Sequence, residues 1–111
     1  MALLAIPVMP GTAYASNTYL TYQTWGTRNA QVTYGRSGSS YTGSVPMDIH
    51  RTLSQGVQYY AISAQLQGSG SVTVEIKVHG HVLSKGTASG GYNIASAEIC
   101  QSYTGAWEDC N

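Results

Sequence analysis

Over residues 72–78 apolar and polar side chains alternate without a break: Val72, Val74, Ile76 and Val78 are separated by Thr73, Glu75 and Lys77. A period of two puts one set on a buried face and the other in water, the signature of a β-strand. His79-Gly80 follows, an X-Gly pair whose glycine supplies the positive φ of a tight primed turn. Residues 82–87 then pair back as the second strand of a hairpin. Residues 19–25 alternate in the same way, with Leu20, Tyr22 and Thr24 on one face, and a turn at 26–29 leads to a second strand lined by Ala30, Val32 and Tyr34. Residues 35–43 are rich in Gly and Ser and read as a loop too polar for a core. Val45, Met47 and Ile49 alternate with Pro46, Asp48 and His50. Pro46 has no N–H, which places this strand at a sheet edge or makes Pro46 its start. After a turn at 54–56 comes the longest strand, 57–67, with Tyr60, Ile62, Ala64 and Leu66 as its buried side. Gly68-Ser69-Gly70 predicts a hairpin into strand 72–78, and residues 94–100 close the set after Gly90-Gly91.

No helical stripe and no internal repeat interrupts this pattern. About seven short strands, spaced at roughly 8–12 residues, predict an all-β fold: a single immunoglobulin-like β-sandwich of antiparallel strands. A small barrel is the alternative. The 111 residues suit one domain, with the sandwich over 17–111 and a separate apolar segment over 1–16.

Only 9% of the residues are charged and the formal net charge is zero. The usual share is roughly 25%, so Gly, Ser, Thr and nine Tyr replace charges at the surface. Such a surface fits an extracytoplasmic or virion setting. Five scattered Lys and Arg make no basic field, which argues against a nucleic-acid partner and against an anionic lipid surface.

The N-terminal segment contains Ala2, Leu3, Leu4, Ile6 and Val8, then Pro10-Gly11, then Ala13-Tyr14-Ala15. An apolar run followed by Ala-x-Ala resembles the end of a secretory signal, with cleavage after Ala15. The run lacks a preceding Lys or Arg and is far shorter than the roughly 20 residues that span a bilayer. Three readings stand open: a trimmed signal, a docking arm that seats Ala2, Leu3, Leu4, Ile6 and Val8 on a protein partner, or a first strand of the domain.

Cys100 and Cys110 are the two cysteines, ten apart, and can close a C-terminal loop around Trp107. A structural disulfide, two free thiols, and a metal or redox pair are the alternatives. The C-x9-C spacing is not one used for zinc.

Groups able to do chemistry are sparse. His79 and His81 flank a hairpin tip without an evident third metal ligand, and Asp48 and His50 share a strand face. The nucleophile-elbow pattern G-x-S-x-G is missing, and no glycine pair opens a phosphate-binding helix. The residues therefore predict no enzyme and no cofactor. Tyr59 and Tyr60, as strand neighbours, face opposite sides. Tyr41, Tyr59 and Tyr92 are the candidate aromatic contacts for a partner.

Five pieces of the chain together resemble one family. The run Val72-Thr73-Val74-Glu75-Ile76-Lys77-Val78-His79-Gly80-His81-Val82 resembles the V-x-C-x-I-x-V-D-G-x-V segment of the MmpS-like domains of actinobacteria. Tyr22-Gln23-Thr24-Trp25-Gly26 resembles that family's Y-E-V-x-G, and Val45-Pro46-Met47 its L-P-W. Ser63-Ala64-Gln65 resembles its v-A-Q, and Gly90-Gly91-Tyr92 the G-x-Y before its last strand. The pieces fall in the family's order across residues 19–100. The resemblance implies a non-catalytic β-sandwich outside the cytoplasmic membrane, accessory to a lipid or siderophore exporter. Three features depart from it. Val74 stands where the family has its first cysteine, so the family's cross-sheet bridge is replaced, if at all, by Cys100 with Cys110. His79 stands in place of Asp at the turn. The family's N-terminal membrane helix is missing from the sequence.

The expected function is thus a binding or accessory module of the actinobacterial envelope or secreted fraction, acting by protein–protein contact. The rival expectation is a structural protein of an actinobacterial phage particle, with residues 1–16 as its arm.

Overall fold

The computed structural model describes residues 19–54 and 56–110. The readings of residues 1–18, including the arm contacts at Ala2, Leu3, Leu4, Ile6 and Val8, lie outside the described residues. Among the described residues nine strands form: β1 (Tyr19–Gly26), β2 (Gln31–Arg36), β3 (Ser39–Ser44), β4 (Met47–Thr52), β5 (Tyr59–Gln65), β6 (Ser71–Val78), β7 (His81–Ser89), β8 (Ile94–Gln101) and β9 (Trp107–Asp109). They make two antiparallel sheets, ordered β9-β8-β5-β2-β3 and β4-β1-β6-β7. Packed together, the sheets form the β-sandwich that the alternation predicts.

The alternating residues meet between the sheets. Leu20 and Tyr22 of β1 and Val72, Val74 and Ile76 of β6 face Val32, Tyr60, Ile62, Ala64 and Ile99 of the other sheet, all at most 2% exposed. Burying side chains of this size contributes roughly 1.5–3 kcal/mol each, which is what fixes the register. A slip of one residue would turn every one of them to water.

Three sequence expectations are corrected. The strand read over 57–67 as the longest spans Tyr59–Gln65 and is shorter than β7. Residues 35–43 are not a loop, because Ser39–Ser44 pairs with β2 as an edge strand, Tyr41 opposite Tyr34. After Ser39 its side chains are exposed and, Tyr41 apart, are Ser, Thr and Gly, so the strand leaves no alternating apolar signature. The Gly68–Gly70 segment does not make a hairpin either. Strand β5 pairs with β2 and β8 while β6 pairs with β1 and β7, so the segment crosses between sheets. It is held at the far end of the sandwich by Gly68 N–H to Gly91 O (3.2 Å) and by Gly90 N–H to Gly70 O (2.8 Å). The same end is pinned by Thr27, whose N–H and Oγ1 bond the Ser71 carbonyl (2.7 Å) and N–H (2.9 Å).

The hairpin β6–β7 forms as expected. His79 and Gly80 both have positive φ, 54° and 80°, the requirement of a type I′ turn. Pro46 immediately precedes β4, which is an edge strand.

The two long sides of the sandwich differ. Along one side β7 lies directly on β8: Gly86 abuts the Ser96 backbone so closely that a Cβ would overlap it. Ser84 Oγ accepts the Glu98 N–H at 3.0 Å and donates to Asp109 Oδ1 at 3.1 Å. This side is closed. The other side is bounded by the edge strands β3 and β4, and there the sheets part.

Candidate functional site

The parting between β3 and β4 is a cleft of about 290 Å³ near the end of the sandwich that carries the cysteines. Strand alternation supplies its walls. On β4 the inward register that buries Met47 continues through half-buried Ile49 to Arg51, which reaches the rim and is exposed. On β2 and β3 the cross-strand partners Tyr34 and Tyr41 stand side by side, ring centroids 5.7 Å apart. The buried Tyr22 and Tyr60 form the floor, and Gly35 and the exposed Arg36 line it as well.

The floor is polar but satisfied. Tyr22 donates from its hydroxyl to the Gly35 carbonyl at 2.7 Å. Tyr60 Oη accepts the Ser54 N–H at 2.8 Å and donates to the Thr52 carbonyl at 3.4 Å. Burial above all, then the neighbouring Tyr60, pushes the Tyr22 phenol well above its ordinary range, and nearby Arg51 only partly opposes this. Tyr22 therefore stays neutral.

Arg51 is held rather than free-swinging. Its Nη1 donates to the His50 carbonyl at 2.9 Å and its Nη2 to the Tyr34 hydroxyl at 3.4 Å. Its guanidinium carbon lies 5.8 Å from the Tyr34 ring centroid and 6.0 Å from that of Tyr41, within cation–π range.

Of the residues singled out from sequence, Tyr41 lines this cleft and is about half exposed. Tyr59 lies on the outer face of the five-stranded sheet, while Tyr60 is buried, as their opposite facing requires. Beside Tyr59 runs a shallow groove floored by small residues such as Ala61 and Ser63. Tyr92 stands 66% exposed in the turn between β7 and β8, at the opposite end from the cleft. The three tyrosines are not brought into one cluster. Tyr34 is the inward strand residue that the alternation names, whereas nothing in the sequence reading singles out Arg36 or Arg51. The available signal was an arginine in the inward register of an otherwise apolar strand.

Cys100 and Cys110 are joined in a disulfide, Cα atoms 5.4 Å apart. The loop it closes carries β9, and Trp107 packs edge-on against Tyr60 at 5.3 Å between ring centroids. Glu98 approaches both sulfurs, but bonded sulfurs offer no thiolate to a metal. His79 and His81 are exposed at the hairpin tip. His50 contacts Asp48 at 3.5 Å and Thr21 Oγ1 at 3.0 Å. That line lies on the solvent face of its sheet, where water screens each group. Among the described residues no helix is long and apolar enough to cross a membrane. No known family model matches the chain, and no curated relative does.

Proposed function

We propose that this chain is a non-enzymatic, extracytoplasmic binding module that works by protein–protein contact, with strand β3 as its docking edge. The character of that edge carries the proposal. Residues Ser39–Ser44 are exposed after the first and include no charge and no proline. Sheet edges are ordinarily blunted by charges, proline or cover, because their unpaired N–H and C=O groups invite another strand. The remaining edges are blunted in these ways. Strand β4 follows Pro46 and carries Asp48 and Arg51, β7 is covered by β8, and β9 has three residues. An edge that no described residue covers, beside guarded ones, suits strand addition by a partner, with main-chain bonds giving affinity.

The disulfide supports an extracytoplasmic compartment, since such bonds persist chiefly outside the reducing cytosol. Low charge agrees with it. The resemblance to MmpS-like domains supports the actinobacterial envelope or secreted fraction as the setting and an envelope transporter as the kind of partner. Cell fractionation with intact-mass measurement tests this. Recovery outside the cytoplasmic membrane, two hydrogens lighter than the dithiol, is expected. Recovery as a cytosolic dithiol would contradict it. Recovery in a particle, paired with copies of itself, would favour the phage structural role instead.

A further inference from the structure

We propose that the cleft between β3 and β4 binds a small organic anion: a ring bearing one carboxylate or phosphate, with the acid on Arg36 and Arg51 and the ring against Tyr41. This goes beyond the docking edge and does not depend on it.

Charge placement is the first reason. The chain has five Lys and Arg and five Asp and Glu. Two of the five cations line this one cleft, and none of the five acids does. The ion pairs among the described residues are Asp48 with His50 and Glu75 with Lys77, so neither arginine has a carboxylate within 4.0 Å. Tyr22 on the floor does not supply the missing charge, since burial keeps its phenol protonated.

Preorganisation is the second. Arg51 is fixed by the His50 carbonyl and the Tyr34 hydroxyl and lies over two rings. Those bonds occupy two of the five N–H donors of a guanidinium. The rotamer entropy that a ligand would otherwise have to overcome is already lost. A planar fork of donors matches a carboxylate or phosphate in two-point contact.

Size and surface complete the case. A cleft of about 290 Å³ sits at the small end of ligand pockets, roughly 300–1,000 Å³, and has room for one ring with its acidic group. The half-exposed Tyr41 ring, beside Tyr34, offers an aromatic face at the mouth.

The test is an NMR titration of the full chain with D-glucuronate and benzoate, and with the neutral glucose and benzyl alcohol. Inorganic phosphate serves as the charge-only probe, and the two acids distinguish a sugar from an aromatic source. At least one acid should saturate at about 1 mM or tighter, moving the signals of Gly35, Tyr41 and the Arg51 side chain. Its neutral counterpart and phosphate alone should bind at least about tenfold more weakly. Arg51→Met should weaken the acid by about tenfold or more, and Arg51→Lys should not fully restore it, because lysine lacks the fork. Arg36→Met, at the exposed end of β2, is the second variant should Arg51→Met not fold. Neutral rings binding as well as acids would overturn the proposal. Acid binding that survives both methionine variants, or no saturation by either acid up to about 10 mM, would overturn it too.

Discussion

The Tyr22 hydroxyl donates a 2.7 Å hydrogen bond to the Gly35 carbonyl, joining β1 of one sheet to β2 of the other across the core. Phenylalanine at position 22 keeps the packing and removes this cross-core bond, while Gly35 stays paired with Ala61 in the β2–β5 ladder. Tyr22→Phe should lower the unfolding free energy by about 0.5–1.5 kcal/mol, the net contribution of one buried hydrogen bond. Urea denaturation with an unchanged m-value measures it.

The same phenol gives a pH dependence. Its folded-state pKa lies above its unfolded one, so above pH about 10 the unfolded chain releases a proton that the folded chain retains. Stability contributed by this group is whole below pH about 10 and falls as pH rises beyond it. Tyr22→Phe should flatten that alkaline decline in chemical denaturation curves. An equally steep decline in the variant would place its origin elsewhere.

On the closed side, Gly86 has no room for a Cβ beside the Ser96 backbone. Gly86→Ala should cost about 1–3 kcal/mol through overpacking. Gly38→Ala is not an equivalent control, since Gly38 has positive φ (87°). Ser40→Ala on the exposed edge is the better one and should leave Tm within about a degree or two.

At the β6–β7 tip, His79 holds a left-handed φ of 54° before Gly80. Asparagine adopts that conformation more readily than histidine, and valine resists it. His79→Asn should stabilise by up to about 1 kcal/mol, while His79→Val should destabilise by a similar amount. Thermal unfolding at neutral pH reads both.

The Cys100–Cys110 bridge closes a short loop. The chain-entropy argument gives about 2.5–3 kcal/mol for a loop of this length. Replacing both cysteines by serine should lose that much and loosen Trp107 from Tyr60, visible in tryptophan fluorescence. Thiol titration of the unfolded native protein should find no reactive thiol before reduction and both afterwards.

What the sequence made legible were the strands whose side chains do the packing. The alternation in β1, β2, β5 and β6 named Leu20, Tyr22, Val32, Ile62 and Val74 as inward, and each is buried. The His79-Gly80 turn was equally plain, because φ is constrained locally. Strand β3 was hidden, since apart from Tyr41 its residues are small and polar and bury no alternating apolar face. The course of Gly68–Gly70 was hidden for another reason. Glycines report that the chain turns, whereas the sheet that β6 joins is decided by where its valines find partners, in β1 and β7. The cleft was least visible. Tyr34, Tyr41 and Arg51 come from three strands and two sheets, and only the gap between β3 and β4 brings them together.

The docking role of β3 is tested most directly by photo-crosslinking in the native host, with a benzophenone side chain at Thr42 of β3 or at Thr73 on the outer face of the other sheet. A discrete protein adduct from position 42, absent from position 73 and abolished by a Ser40→Lys charge on the edge, is the predicted result. The same adducts from both positions, or none from position 42, would contradict it.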